Sequence, residues 1–174
     1  MVESDRLLNA CVFRAHERAL RVLSQVAGRA GRRGSRGRVV LQTRKPDLPV
    51  VAQIVAGDYP AMYQKEMADR RTFRYPPEVR LIMISFKHRD ERTVAGSARL
   101  FAYLLQPHFG DDLFGPMKPV VSYVQLQHIR RIMLKVSPTL SPTSVRTTLW
   151  AARDRVLAHS ACRNVTIYFD VDPM

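Results

Sequence analysis

Between residues 79 and 171 the spacing of apolar residues switches repeatedly between that of a strand and that of a helix, and few folds accommodate such an alternation. VRLIMISFKH (79–88) is apolar on both faces, as a central strand of a sheet would be. Asp90 then stands where a helix needs an N-cap, and Val94, Ala98, Phe101 and Leu105 recur at spacings that predict one buried helical stripe. PVVSYVQ (119–125) and HIRRIMLKVS (128–137) read as strands close enough in sequence to form a hairpin. Ser141 and Pro142 open a second helix with Val145, Leu149, Ala152 and Val156 on one side, and NVTIYFDV (164–171) is the last strand. The order βαββαβ is that of a ferredoxin-like, or split βαβ, unit, a four-stranded sheet with two helices on one face.

The part before it is organised differently. Phe13, Leu20, Leu23 and Ala27 fall on one face of a helix expected to end at Gly28, and GRAGRRGSRGR leads from it into RVVLQT, a β-branched run that reads as a short buried strand. Pro46, Pro49, Gly57, Pro60, Pro76 and Pro77 punctuate the next stretch, with short helices expected around 49–56 and 60–71 and YPP as the junction to the second half. Three segments result: 1–45, a helical linker at 46–77, and the ferredoxin-like domain at 78–174. The fold class is α/β, of α+β type in the last segment.

Charge narrows the partners. The 28 Lys and Arg against 15 Asp and Glu leave a net +13, most of it arginine, so a polyanion is the expected ligand. The excess sits at 1–45 and 78–174, while 46–77 is neutral. The longest apolar run, LIMI (81–84), is far short of the roughly 20 residues of a membrane span, and no signal-peptide pattern opens the sequence. Cys11 and Cys162 lack partners at metal-binding spacing, so reduced thiols in a cytoplasmic protein and no metal site are expected.

QVAGRAGR (25–32) is the motif with chemical content. Alone it could be a solvated arginine–glycine loop; with a periodic helix before it and a β-branched run after it, its ends are anchored and its guanidinium groups can project together. Planar guanidinium groups match phosphate oxygens, and an arginine aimed at a transferring γ-phosphate is an electrostatic catalyst. The stretch resembles motif VI, the QxxGRxGR box, of superfamily 2 helicases. FRAHER (13–18), RVVLQT, RRTFRYPP (70–77), GPMKP (115–119) and DVDP (170–173) extend the resemblance over essentially the whole chain, to the primosomal protein N′ family of replication-restart DNA helicases.

That resemblance implies a C-terminal fragment, in which 1–45 is the end of the second RecA-like helicase lobe and 78–174 the ferredoxin-like C-terminal domain. Arg29 and Arg32 would be the catalytic, nucleotide-sensing arginines, with Gln25, Gly28 and Gly31 as their cofactor-binding companions. The phosphate loop, the acidic Mg²⁺ box and the zinc cysteines of the family are absent from this sequence, so ATP, magnesium and zinc are expected only of the full-length protein, and the fragment alone should bind DNA without hydrolysing ATP. Implied partners are single-stranded and branched DNA, the acidic tail of single-strand-binding protein and other primosome proteins, with no membrane.

Arg33, Arg36 and Arg38 lie outside the box; the last two are taken as DNA-facing. In HIRRIMLK, Ile132, Leu134 and Val136 should face the helices, leaving Arg131 and Lys135 on the open side of the sheet, either solvated or tracking a phosphate backbone. The five histidines are scattered. Asp170 and Asp172, at a strand end, read as capping or arginine-pairing groups rather than a catalytic pair. A non-enzymatic basic ferredoxin-like module, binding nucleic acid or protein without using the arginine box, is the alternative to a helicase segment.

Overall fold

The computed structural model describes residues 14–30 and 39–173. They divide into two compact units, one ending at Thr72 and one running from Phe73 to Pro173. In the first, α1 (Ala15–Ala30) buries Ala15, Ala19, Leu20 and Leu23. Ala19 meets Val50 and Val51 of α2 (Pro49–Ala56), whose chain turns back at Gly57 in the left-handed conformation. α3 (Tyr59–Phe73) buries Met62, Glu66 and Arg70. Its two buried charges are each paired: the Glu66 carboxylate binds His16 Nδ1 at 2.7 Å, which raises the histidine's pKa, and Arg70 donates to Glu17 Oε1 at 2.7 Å.

Two expectations for this unit change. The helix does not stop at Gly28 but continues through Ala30; a glycine inside a helix costs only about 1 kcal/mol against alanine, and no neighbour crowds this one. RVVLQT is not a buried strand. Val39 and Val40 are exposed, and among the described residues of the run Gln42 alone makes a bridge-type pair; a β-branched run becomes a strand only where a second strand hydrogen-bonds along it. Phe13 lies outside the described residues.

The second unit follows the βαββαβ order. β1 (Arg80–His88) pairs antiparallel with β4 (Gln127–Val136) on one edge and with β5 (Thr166–Val171) on the other. β2 (Leu113–Met117) lies outside β4, giving the order β2-β4-β1-β5. β1 and β2 are therefore parallel with β4 between them, and β4 and β5 are parallel with β1 between them. Each crossover helix skips a strand position that the other half fills. α4 (Glu91–Phe109) starts where expected, its Asp90 accepting from the Thr93 N–H at 2.7 Å. α5 (Pro142–Ala158) has its proline in the first turn. Ile82, Ile84 and Phe86 of β1 join Phe101 and Leu105 of α4 and Leu149 and Val156 of α5 in one core, with Phe86 and Phe101 edge to face at 5.3 Å. Asp172 Oδ1 accepts from the Leu81 N–H at 3.0 Å, the strand-end cap expected of one of the two terminal aspartates.

The second strand is not PVVSYVQ. Of that stretch only Tyr123 and Val124, here β3, pair with β4, through a two-residue turn in which Gln125 and Leu126 both have positive φ; Val120 is 98% exposed. The strand position is taken by LFGPM, whose Gly115 and Pro116 argue against strand in sequence. β2 is an edge strand whose register breaks between Phe114 and Met117, where both residues are tolerated.

Gly115 has φ +110°, and a Cβ there would come within 3.0 Å of both the Arg131 carbonyl oxygen and the Met117 nitrogen. Gly115→Ala should therefore destabilise this unit by about 1–3 kcal/mol in chemical denaturation. Gly96→Ala, at a helical position with open space, should be neutral or stabilising by up to about 1 kcal/mol. Equal effects at the two positions would refute this account of β2.

Candidate nucleotide and nucleic-acid sites

On α1, Gln25 and Arg29 stand one turn apart and are exposed. Gln25 lies about 200° and Arg29 about 240° around the helix from the buried Leu23. Arg29 stands in the last turn, where the helix C-terminus favours a cation. Gly28 is exposed between them. Gly31, Arg32, Arg33, Arg36 and Arg38 lie outside the described residues. Beside Gln25, α1 and α3 enclose a cavity of about 560 Å³ lined by Glu17, Met62 and the stacked pair Tyr59 and Tyr63.

The sheet face away from the helices is not bare. Lys135 is buried; its ammonium donates to the Phe73 carbonyl at 2.6 Å and lies 4.6 Å from the Tyr75 ring centroid and 4.9 Å from that of Phe114. Burial, with the nearby Arg74 guanidinium, lowers its pKa, partly offset by Asp112, which Arg74 itself pairs with. This ammonium is enclosed by the segment that leads into β1, not presented to solvent. Arg131, its neighbour on the same face, is half-buried and opposite Ser85, and its Nε is buried with no hydrogen-bond partner among the described residues.

Sequence reasoning missed an apolar cavity of this unit. A groove of about 670 Å³ lies between α5 and the ends of β1 and β5, floored by Ile82, Val145, Leu149 and Phe169. Among the described residues its charged lining groups are Arg80, Arg146 and Arg153, and Trp150 forms part of the wall at 44% exposure, with the Arg153 guanidinium 4.6 Å from its ring centroid. Arg146, Trp150 and Arg153 do sit at helical i, i+4, i+7 spacing, a signal readable in sequence. Arg80 and Phe169 reach the same groove only through the sheet. Among the described residues no three His, Cys, Asp or Glu side chains converge as a metal site, and no helix is long and apolar enough to cross a membrane.

The chain thus combines an arginine-bearing helix in one unit with a basic ferredoxin-like α+β domain carrying an apolar, arginine-rimmed groove in the other. Residues 71–174 match the family model for the primosomal protein N C-terminal domain, and the chain belongs to that family. It is similar to the replication restart protein PriA of Treponema pallidum, at 34% identity over 98% of this chain and 25% of that protein. The PriA proteins of Bacillus subtilis and Synechocystis match at 28% and 27%, over 99% and 100% of this chain and 21% and 20% of theirs. The chain thus spans a fifth to a quarter of the length of these relatives.

Because Lys135 closes onto the Phe73 carbonyl, Lys135→Met should lower the stability of the second unit by about 1–2 kcal/mol, through the lost charged hydrogen bond. Thermal unfolding followed by circular dichroism measures this. A midpoint equal to the unsubstituted chain would show the ammonium to be free.

Proposed function

We propose that this chain forms part of an ATP-dependent 3′ to 5′ DNA helicase of replication restart. It contributes the arginine box that meets the ATP γ-phosphate and a C-terminal domain that holds DNA and a partner protein. The observation that supports the reading is the exposed, one-turn-apart placement of Gln25 and Arg29 on α1, continuous in sequence with Arg32. ATP and its magnesium ion would be cradled by elements this sequence does not contain, since it has no GxxxxGK[ST] stretch; when bound they supply the phosphoryl group and neutralise its charge. Arg29 and Arg32 would stabilise charge developing on that group, and Gln25 would orient them. Zinc finds no ligand set among the described residues and is assigned to no residue here.

In the complete helicase, Arg29→Ala and Arg32→Ala should each reduce DNA-stimulated kcat on the order of 10² or more and change DNA affinity only a few-fold. Arg32→Lys should fail to restore turnover, because it keeps the charge and loses the planar fork. Near-normal turnover in all three variants would remove the nucleotide role.

The groove supports the partner reading. Its apolar floor suits the hydrophobic residues of a peptide, while three arginines and no lining carboxylate suit acidic ones, as the tail of single-strand-binding protein provides. Arg146→Glu should weaken binding of a labelled tail peptide at least tenfold in fluorescence anisotropy, with the thermal midpoint unchanged. Unaltered binding would place the peptide elsewhere.

A further inference from the structure

A second basic feature of this unit lies at the N-terminal end of α4, distinct from the sheet face and the groove. Arg89, Arg92, Arg99 and Arg130 line a cleft of about 650 Å³ together with His128. Its two carboxylates are already committed. Asp90 caps α4 through the Thr93 N–H at 2.7 Å. Glu91 accepts from Arg130 at 2.7 Å and from Lys118 at 3.2 Å. Both are held ionised below the usual carboxylate range, Asp90 by the Thr93 hydrogen bonds and Glu91 by the bonds from Arg130 and Lys118. Arg89, Arg92 and Arg99 are exposed and have no ion pair or hydrogen bond among the described residues. Three guanidinium groups therefore remain uncompensated on one surface.

Their placement has a shape. Arg92 and Arg99 are seven residues apart on one helix face, about 10 Å along the axis, and the turn between them carries Ala95 and Gly96. Small side chains in the middle and arginines at both ends leave a saddle that a rod-like polyanion can approach closely. The N-terminus of α4 adds its partial positive charge at the Arg89–Arg92 end. Among the described residues no Phe, Tyr or Trp lines the cleft, and its one ring, His128, is already in contact with Tyr123 at 4.8 Å, so charge rather than stacking dominates the surface. We infer that this cleft binds the sugar–phosphate backbone of duplex DNA, with Arg92 and Arg99 on separate phosphates and Arg89 at the rim.

The inference rests on the reading that the chain binds DNA, and the experiment separates the two. Using the full chain, anisotropy of a labelled duplex and of a labelled single strand is measured from 50 to 200 mM salt, for the unsubstituted protein and for the double variant Arg92→Ala, Arg99→Ala. Both positions are exposed, and the fold is checked by circular dichroism. Removing two phosphate contacts should reduce the slope of log affinity against log salt by about 2 units for the duplex. Duplex affinity at 50 mM should fall on the order of tenfold or more, and single-strand affinity should change less. Replacing the same two residues by lysine should recover most of the slope, since a backbone contact needs charge more than a fork. An unsubstituted chain that binds no DNA overturns both the functional reading and the inference. DNA binding that the double variant leaves unchanged, or loses equally for duplex and single strand, overturns the inference alone.

Discussion

β1 is hydrogen-bonded along both edges and packed on both faces, and the second unit is built around that one strand. Its ladder with β4 runs from Arg80 to His88 and its ladder with β5 from Ile82 to Lys87. Ile82, Ile84 and Phe86 point into the helices, while Leu81 and Ser85 are buried on the other face. Burying each large apolar side chain contributes on the order of 1.5–3 kcal/mol, and the two ladders fix the direction in which each is spent. A one-residue slip would turn Ile84 and Phe86 out of the core, so the register is held by packing as well as by hydrogen bonds.

The surface chemistry depends on this scaffold. The groove is walled by α5 and floored by residues of β1 and β5, so Arg80 and Arg146, far apart in sequence, share one rim. The arginine saddle lies at the opposite end of β1, where the strand hands over to α4 through Asp90. The two basic features therefore occupy opposite ends of the same strand. The Lys135 clasp belongs to neither; it ties the segment carrying Phe73 and Tyr75 to the sheet's other face.

The arginines therefore fall into distinct physical situations that composition does not separate. Arg70 and Arg130 are drawn into ion pairs with Glu17 and Glu91 and serve packing. Arg153 leans on Trp150. Arg89, Arg92 and Arg99 keep their charge unspent at the surface, where long-range attraction to a polyanion is strongest. Net charge announces a polyanion; only neighbours decide which cations remain to meet it.

Local pattern by itself determined the βαββαβ order, the stripes Val94–Leu105 and Val145–Val156 and the Asp90 cap, because these signals lie within a single helix or a single strand. The second strand was illegible: PVVSYVQ has strand composition, LFGPM has not, and an edge position with a register break decided between them. RVVLQT likewise has strand composition, yet its Val39 and Val40 are exposed. Lys135 looked like Arg131, two cations near one another on the same strand, until Phe73, Tyr75 and Phe114 arrived from distant parts of the chain to enclose one of them. Sequence fixes which side chains a segment can offer on each face; tertiary structure decides what stands opposite, and desolvation and pairing by those opposing groups determine whether a charge binds a ligand or holds the fold.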